Sequence, residues 1–262
     1  MNITVCIKQV PGSTKVKVDP DTGTLMRDSV EAIVNPFDEY AIEEALRIKE
    51  RQGEGTVSVL TMGPPQAEEA LKTAIAMGAD NGYLISDRKF AGSDTWATSY
   101  TLAASIRTMP HPDLIICGKQ AIDGDTAQVG PGVAEMLDLP FVAYVRKIEE
   151  ISDSSIKVER MVEEGYDVVE MPLPGVITVV KEINAPRMIS LKGKMRAKKA
   201  VINKITGDDL DVDEKYLGLS GSPTEVYRSF VPEKKTGGEK VTGEVPELVD
   251  KAKETLKGLG IA

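Results

Sequence analysis

Residues 118–132, GKQAIDGDTAQVGPG, concentrate more chemically useful groups than any other stretch of this chain. Gly118 and Gly124 let backbone pass close to a ligand, and Asp125 or Thr126 is placed to cap the helix that follows. Backbone amides at such a helix start would face a phosphate. Asp123 and Asp125 also read as plain turn and cap residues with no ligand, and two carboxylates disfavour a bare triphosphate unless a metal is present. Three more stretches carry unusual loops: residues 8–12, Met62-Gly63-Pro64, and residues 86–94. Asn35-Pro36-Phe37-Asp38 either just starts a helix or forms a second wall of the same mouth. Asp94, Thr95, Thr98 and Ser99 put hydroxyls on the first turn of another helix, where they can donate to phosphate or ribose oxygens, although Thr98 reads equally as a buried helix residue. Neither GxGxxG nor GxxxxGK[ST] occurs, so ordinary dinucleotide and P-loop readings lose support.

The elements that would position these loops alternate. Residues 3–10, ITVCIKQV, form a β-branched strand, and the polar DPDTGTLMR after it has a hairpin turn at Asp21-Thr22-Gly23. A helix is expected from Asn35-Pro36 to about Gln52, closed by Gly53 and Gly55; then a strand over 56–62 and a helix over 66–77 closed by Gly78. A strand over 82–86 precedes a helix capped by Asp94 and ended by Pro110 and Pro112. The unbroken apolar run at 113–118 fits a strand covered on both faces. Next come a helix from about Thr126 to Leu137 and a strand beginning over 141–145. This order implies a doubly wound, mostly parallel α/β sheet, whose ligands bind outside the carboxyl ends of its strands. Past Lys147 the pattern is hairpin-like and finishes the sheet.

Residues 183–207 hold no acidic residue, while Arg187, Lys192, Lys194, Arg196, Lys198 and Lys199 crowd together around Met188, Ile189, Leu191 and Met195. That segment is either a solvated face or a docking loop whose apolar side chains anchor a partner while the cations steer it. Residues 1–206 read as the α/β domain, including a loop at 184–200. Residues 207–262 read as an extended arm plus a short amphipathic helix, Glu244 to Gly258, that needs a surface to lie on.

Composition narrows the function. There are 32 Lys and Arg against 41 Asp and Glu, a net charge of -9, which argues against a general nucleic-acid binder. Cys6 and Cys117, the two cysteines, sit in apolar runs and look like neither half of a disulfide framework, so a reducing, cytoplasmic setting is expected. No stretch reaches the roughly 20 apolar residues of a membrane span. The single histidine, His111, lies in a Pro-His-Pro turn, so any reaction leans on a cofactor.

Five stretches in order, CIKQVPG, VNPFDEYAIEEALRIKE, TMGPPQAEEALKTAIAMGAD, GKQAIDGDTAQVGP and PRMISLKGKMRAKKA, carry an end-to-end resemblance to the beta subunits of electron transfer flavoproteins. The resemblance implies a heterodimer with an alpha subunit. It also implies a nucleotide lying against Cys6, against Asn35 to Asp38, against Met62 and Gly63, and along Ala121, Ile122, Asp123, Gly124, Asp125, Thr126, Ala127, Gln128, Val129, Gly130 and Pro131. The family's dehydrogenase-docking loop falls on residues 187–199, with Leu191 as its apolar anchor.

That family has two branches, one with a structural AMP in this subunit and one with a second FAD that bifurcates electron pairs. AIDGDTAQVGP resembles the bifurcating form rather than the AIDDDCNQTG of the AMP branch, and Asp94-Thr95 with Thr98 resembles its extra contact. The resemblance therefore implies FAD that accepts hydride from NADH, with one electron passed to ferredoxin or flavodoxin and one to the alpha-subunit FAD, which serves a flavin-dependent dehydrogenase. Alternatives are a plain carrier with AMP here, or a nucleotide-binding regulatory domain without redox chemistry. An adenylating enzyme of the ATP-pyrophosphatase type would need a Ser-Gly-Gly loop after the first strand, which is lacking.

Overall fold

The computed structural model of the protein describes residues 1–12, 31–227, 238 and 240–261. The expected turn at Asp21-Thr22-Gly23 lies outside them. The chain runs β1 (Asn2–Cys6), β2 (Gln9–Pro11), β3 (Ala32–Val34), α1 (Pro36–Gln52), β4 (Thr56–Met62), α2 (Glu68–Met77), β5 (Asn81–Ile85), α3 (Thr95–Thr108), β6 (Leu114–Gly118) and α4 (Val129–Leu137). It continues through β7 (Phe141–Ile151), β8 (Ser155–Val162), β9 (Gly165–Pro172), β10 (Gly175–Val179), α5 (Leu191–Lys199), β11 (Ile202–Ile205) and α6 (Val245–Gly258).

One nine-stranded sheet has the order β11-β5-β4-β1-β6-β10-β7-β8-β9. Its first seven strands are mutually parallel, and β8 and β9 add an antiparallel meander. This is the mostly parallel α/β architecture that the alternation predicted. Period-two alternation explains the continuous apolar runs. Ile3, Val5, Leu114 and Ile116 face a core shared with Ala41, Ile42, Leu46 and Leu71 of α1 and α2. Cys6, Ile115 and Cys117 face the opposite core with Leu102, Ile106 and Val133 of α3 and α4.

Several boundaries differ from the sequence expectation. The first strand does not run to Val10: the Ile7 amide still donates to Leu60 O, but the Lys8 amide goes to the Asp38 carboxylate, and the chain peels away into the β2–β3 ribbon. The second helix opens with a 3-10 turn at Pro65–Ala67. The fourth helix begins at Val129, not Thr126, because Asp125 and Ala127 both have φ of 53°, outside the helical region. β10, expected only as part of a closing hairpin, returns parallel between β6 and β7. The expected loop at 184–200 contains α5, whose N-cap Ser190 accepts from the Gly193 amide. Leu210 and Leu217, within the stretch read as an arm, are buried with Phe90. The contact-defined body is Met1–Arg228, and Ser229–Ala262, which contains α6, is a separate unit. Among the described residues, no helix is long and apolar enough to cross a membrane.

Candidate functional site

The chain leaves β1 through α1 toward β4 on one side, and later crosses from β5 through α3 to β6 on the other side of β1. The winding direction reverses between β1 and β6, and that reversal opens a crevice outside their carboxyl ends. The first turn of α1 is wedged there. Asn35 is wholly buried and supplies the N-cap backbone, yet its side chain makes no cap bond. Its Nδ2 donates to Gln120 O at 2.8 Å, and its Oδ1 accepts from the Ile122 amide at 3.1 Å. Simple helix initiation therefore does not account for this asparagine: it clips the long loop to α1.

Asp38 works beside it. Its Oδ2 accepts from the Lys8 amide at 2.7 Å, and the Gly118 amide also donates to its carboxylate. Burial pushes this carboxyl up to about 7 against the lowering effect of those bonds and of Asn35. Gly118 is a steric requirement, since a Cβ there would strike Asp38 Oδ1 and lie 2.7 Å from the Phe37 backbone carbon.

From Gly118 the loop turns sharply, the Asp125 amide closing onto Ala121 O at 2.8 Å. Ala127 is left-handed, and Gln128 after it is right-handed, with φ -102° and ψ -22°. Such an alternation aims successive amides at one point and makes an anion-binding concavity. It leads directly into α4, whose Val129 and Gly130 amides have no intrahelical acceptor. Neither Asp125 nor Thr126 caps this helix, contrary to the sequence expectation. The N-cap is Gln128, which makes no cap bond with its side chain, and the Asp125 carboxylate pairs with Gln120 Nε2 instead. The start of α4 is pressed onto the sheet: a Cβ on Gly130 would meet Thr178 Cγ2 at 2.5 Å, and one on Gly132 would strike Ser99. Gly124, by contrast, has open space where a side chain would project.

The other predicted residues are distributed around this mouth. Thr95 Oγ1 donates to Gln128 Oε1 at 2.9 Å, joining α3 to the long loop. Asp94 caps α3 through the Trp96 and Ala97 amides, and its second oxygen accepts from both Thr224 N and Oγ1, so its carboxylate is fully engaged within the protein. Thr98 is partly exposed one turn along. Met62 and Gly63 end β4 next to β1, and the Gly63 amide is taken by Ile85 O. Cys6 faces the α3–α4 core, and hydrogen bonding to the Cys117 thiol together with burial holds its own thiol well above the usual range. Pro36 and Phe37 are half-buried.

Two features escaped the sequence reading. Lys8 Nζ reaches both carboxylate oxygens of Asp123, at 2.7 and 2.8 Å. Tyr144, inside an apparently regular strand, has φ of 60°; its amide donates to Thr178 Oγ1, and Lys119 Nζ sits 5.4 Å from its ring centroid. Lys8 had a weak signal, a cation just after a strand end. Tyr144 had none.

The basic segment divides into tethers and free side chains. Arg187 grips Glu43 and Glu50 of α1, Arg196 donates to Ile75 O, and Ile189 packs against the core. Burial alone would raise the Glu43 carboxyl, but hydrogen bonds from Arg187 and Arg47 win and hold it below its ordinary value. Met188, Leu191 and Met195 are exposed at 95%, 77% and 57%, with the exposed Lys192 and Lys194 between them.

Residues 22–210 match the electron transfer flavoprotein domain family. The chain is 50% identical over 257 residues to the electron transfer flavoprotein subunit beta of Thermoanaerobacterium thermosaccharolyticum, covering 98% of each. It is 49% identical to the caffeyl-CoA reductase-Etf complex subunit CarD of Acetobacterium woodii, over 97% of this chain and 98% of that one. It is 46% identical to Protein FixA of Sinorhizobium fredii, over 88% of this chain and 84% of that one. Fold, loop pattern and these relatives agree, and the chain belongs to the electron transfer flavoprotein beta-subunit family.

Proposed function

We propose that this subunit holds FAD at the β1–β6 crevice and works as the bifurcating half of a heterodimer with an electron transfer flavoprotein alpha subunit. The observation that carries the reading is the left-then-right backbone at Ala127-Gln128 running into the free Val129 and Gly130 amides, a preformed seat for a diphosphate. Thr98 on α3 adds a hydroxyl donor on its flank, Thr95 holds Gln128 of the long loop there, and the open space at Gly124 spares the site a further side chain. Asn35 and Asp38 hold the loop in place, so little ordering remains to be done when the cofactor enters. When bound, FAD supplies the capacity to take hydride from NADH and to release one electron to ferredoxin or flavodoxin and the other to the alpha-subunit FAD. The name of the caffeyl-CoA reductase-Etf relative supports service to a flavin-dependent dehydrogenase. Met188, Leu191 and Met195, exposed among lysines, suit the docking of that partner.

A structural AMP is the second reading, favoured by the Asp123 and Asp125 carboxylates on the loop, which burden a second phosphate more than a single one. Co-expression with the alpha subunit and cofactor counting separates the two. Two FAD per pair, both bleached by NADH, is the expected result; one FAD with one AMP overturns bifurcation and leaves a plain carrier. A colourless pair that retains only AMP would remove the redox role of this subunit altogether.

A further inference from the structure

Lys8 and Asp123 face each other across the crevice, 115 residues apart in sequence, and both remain partly exposed at 48% and 31%. Their surroundings fix where each starts. The Lys8 amide is bound by Asp38, so its side chain springs from a pinned backbone at the end of β1. The backbone leading into Asp123 is also fixed, with Gln120 O and the Ile122 amide both held by Asn35, and the turn that contains it is closed by the Asp125 amide on Ala121 O. Other charged groups nearby are already occupied: Asp125 accepts from Gln120, and the Lys119 ammonium lies over the Tyr144 ring.

We propose that the Lys8–Asp123 ion pair is an electrostatic gate on the nucleotide mouth, in which the Asp123 carboxylate stands in for a ligand phosphate and yields Lys8 to it on binding. The inference rests on the nucleotide-binding reading and assigns to that site a requirement for phosphate charge. An ion pair this exposed contributes little to folding, so breaking it is cheap. A phosphate seated against the amides of the α4 start offers Lys8 more charge and more acceptor oxygens than one carboxylate does. A neutral ligand offers Lys8 nothing and leaves the pair closed, so its affinity does not depend on the pair.

The full chain is titrated calorimetrically with AMP and with adenosine. Lys8→Gln is expected to weaken AMP binding by about tenfold, one charge-assisted contact, and to leave adenosine within about twofold. Asp123→Asn removes the competitor and is expected to tighten AMP severalfold, again without effect on adenosine. Lys8→Gln binding AMP as the wild type does, or weakening both ligands alike, overturns the gate, as does Asp123→Asn weakening AMP. A wild-type chain that binds neither ligand overturns the nucleotide reading itself, and the gate with it.

Discussion

Replacing Asn35 with alanine should unfasten the long loop from α1. The side chain is wholly buried and makes two hydrogen bonds to backbone groups, Gln120 O and the Ile122 amide, 85 and 87 residues away. Each such bond contributes about 1 kcal/mol net, and because Gln120 and Ile122 are themselves partly exposed each partner left unsatisfied costs at most about 2 kcal/mol, so a loss of about 2–4 kcal/mol is expected. If that loss falls on the ordered loop, nucleotide affinity drops by about 30- to 700-fold, at about 1.4 kcal/mol per decade. Asn35→Asp is the sharper variant. Aspartate is as good an N-cap as asparagine, so a residue that only starts a helix would tolerate it. Here it would keep an acceptor for the Ile122 amide but set a carboxylate oxygen against Gln120 O, and a loss comparable to that of alanine follows. Urea unfolding gives the global cost, and amide exchange over residues 119–128 reports the loop. An Asn35→Asp chain of wild-type stability, with unchanged exchange in that loop, would refute the reasoning.

Asp38 makes stability depend on pH with a definite sign. Its carboxyl is raised from 3.8 to about 7 in the folded protein, so the protonated form favours folding. This contribution is complete below about pH 4, falls as pH rises, and is lost above about 7, a swing of about 4 kcal/mol. Relative to Asp38→Asn, the wild type should therefore lose stability between pH 5 and pH 8 in chemical denaturation, and parallel curves for the two proteins would contradict the assignment. Gly130→Ala should lift the start of α4 off the sheet, because its Cβ would meet Thr178 Cγ2 at 2.5 Å. A stability loss of about 1–3 kcal/mol is expected, together with loss of bound nucleotide from the purified complex, and retention of both would argue against a tightly seated helix start.

The sheet was legible because local pattern and global packing agree. The run at 114–117 alternates between two buried cores, so its unbroken hydrophobicity announces a central strand. Gly118 was readable as a place of close approach, and Asp94 as a cap. What stayed hidden depends on partners far along the chain. β10 looks like one arm of a hairpin, but its hydrogen bonds go to β6, some sixty residues earlier. Ala127 adopts a left-handed conformation that alanine does not advertise, so a helix start at Thr126 falls three residues early. Asn35 matches a cap by type, and only its distant acceptor and donor reveal the other task. Arg187 resembles the docking cations in composition, which cannot show that Glu43 and Glu50 already hold it.

α1 carries Asn35 and Asp38 at its beginning and Glu43 and Glu50 along its length, so the β1–β6 crevice and the Arg187 tether ahead of α5 hang on the same 17-residue rod, about 25 Å long. Inserting one residue between Asp38 and Glu43 would swing the two sets of handles about 100° out of phase. The spacing from Asn35 to Glu50 is thus a ruler as well as a sequence, and lineages that drift freely in the surface side chains of this helix should still keep its count.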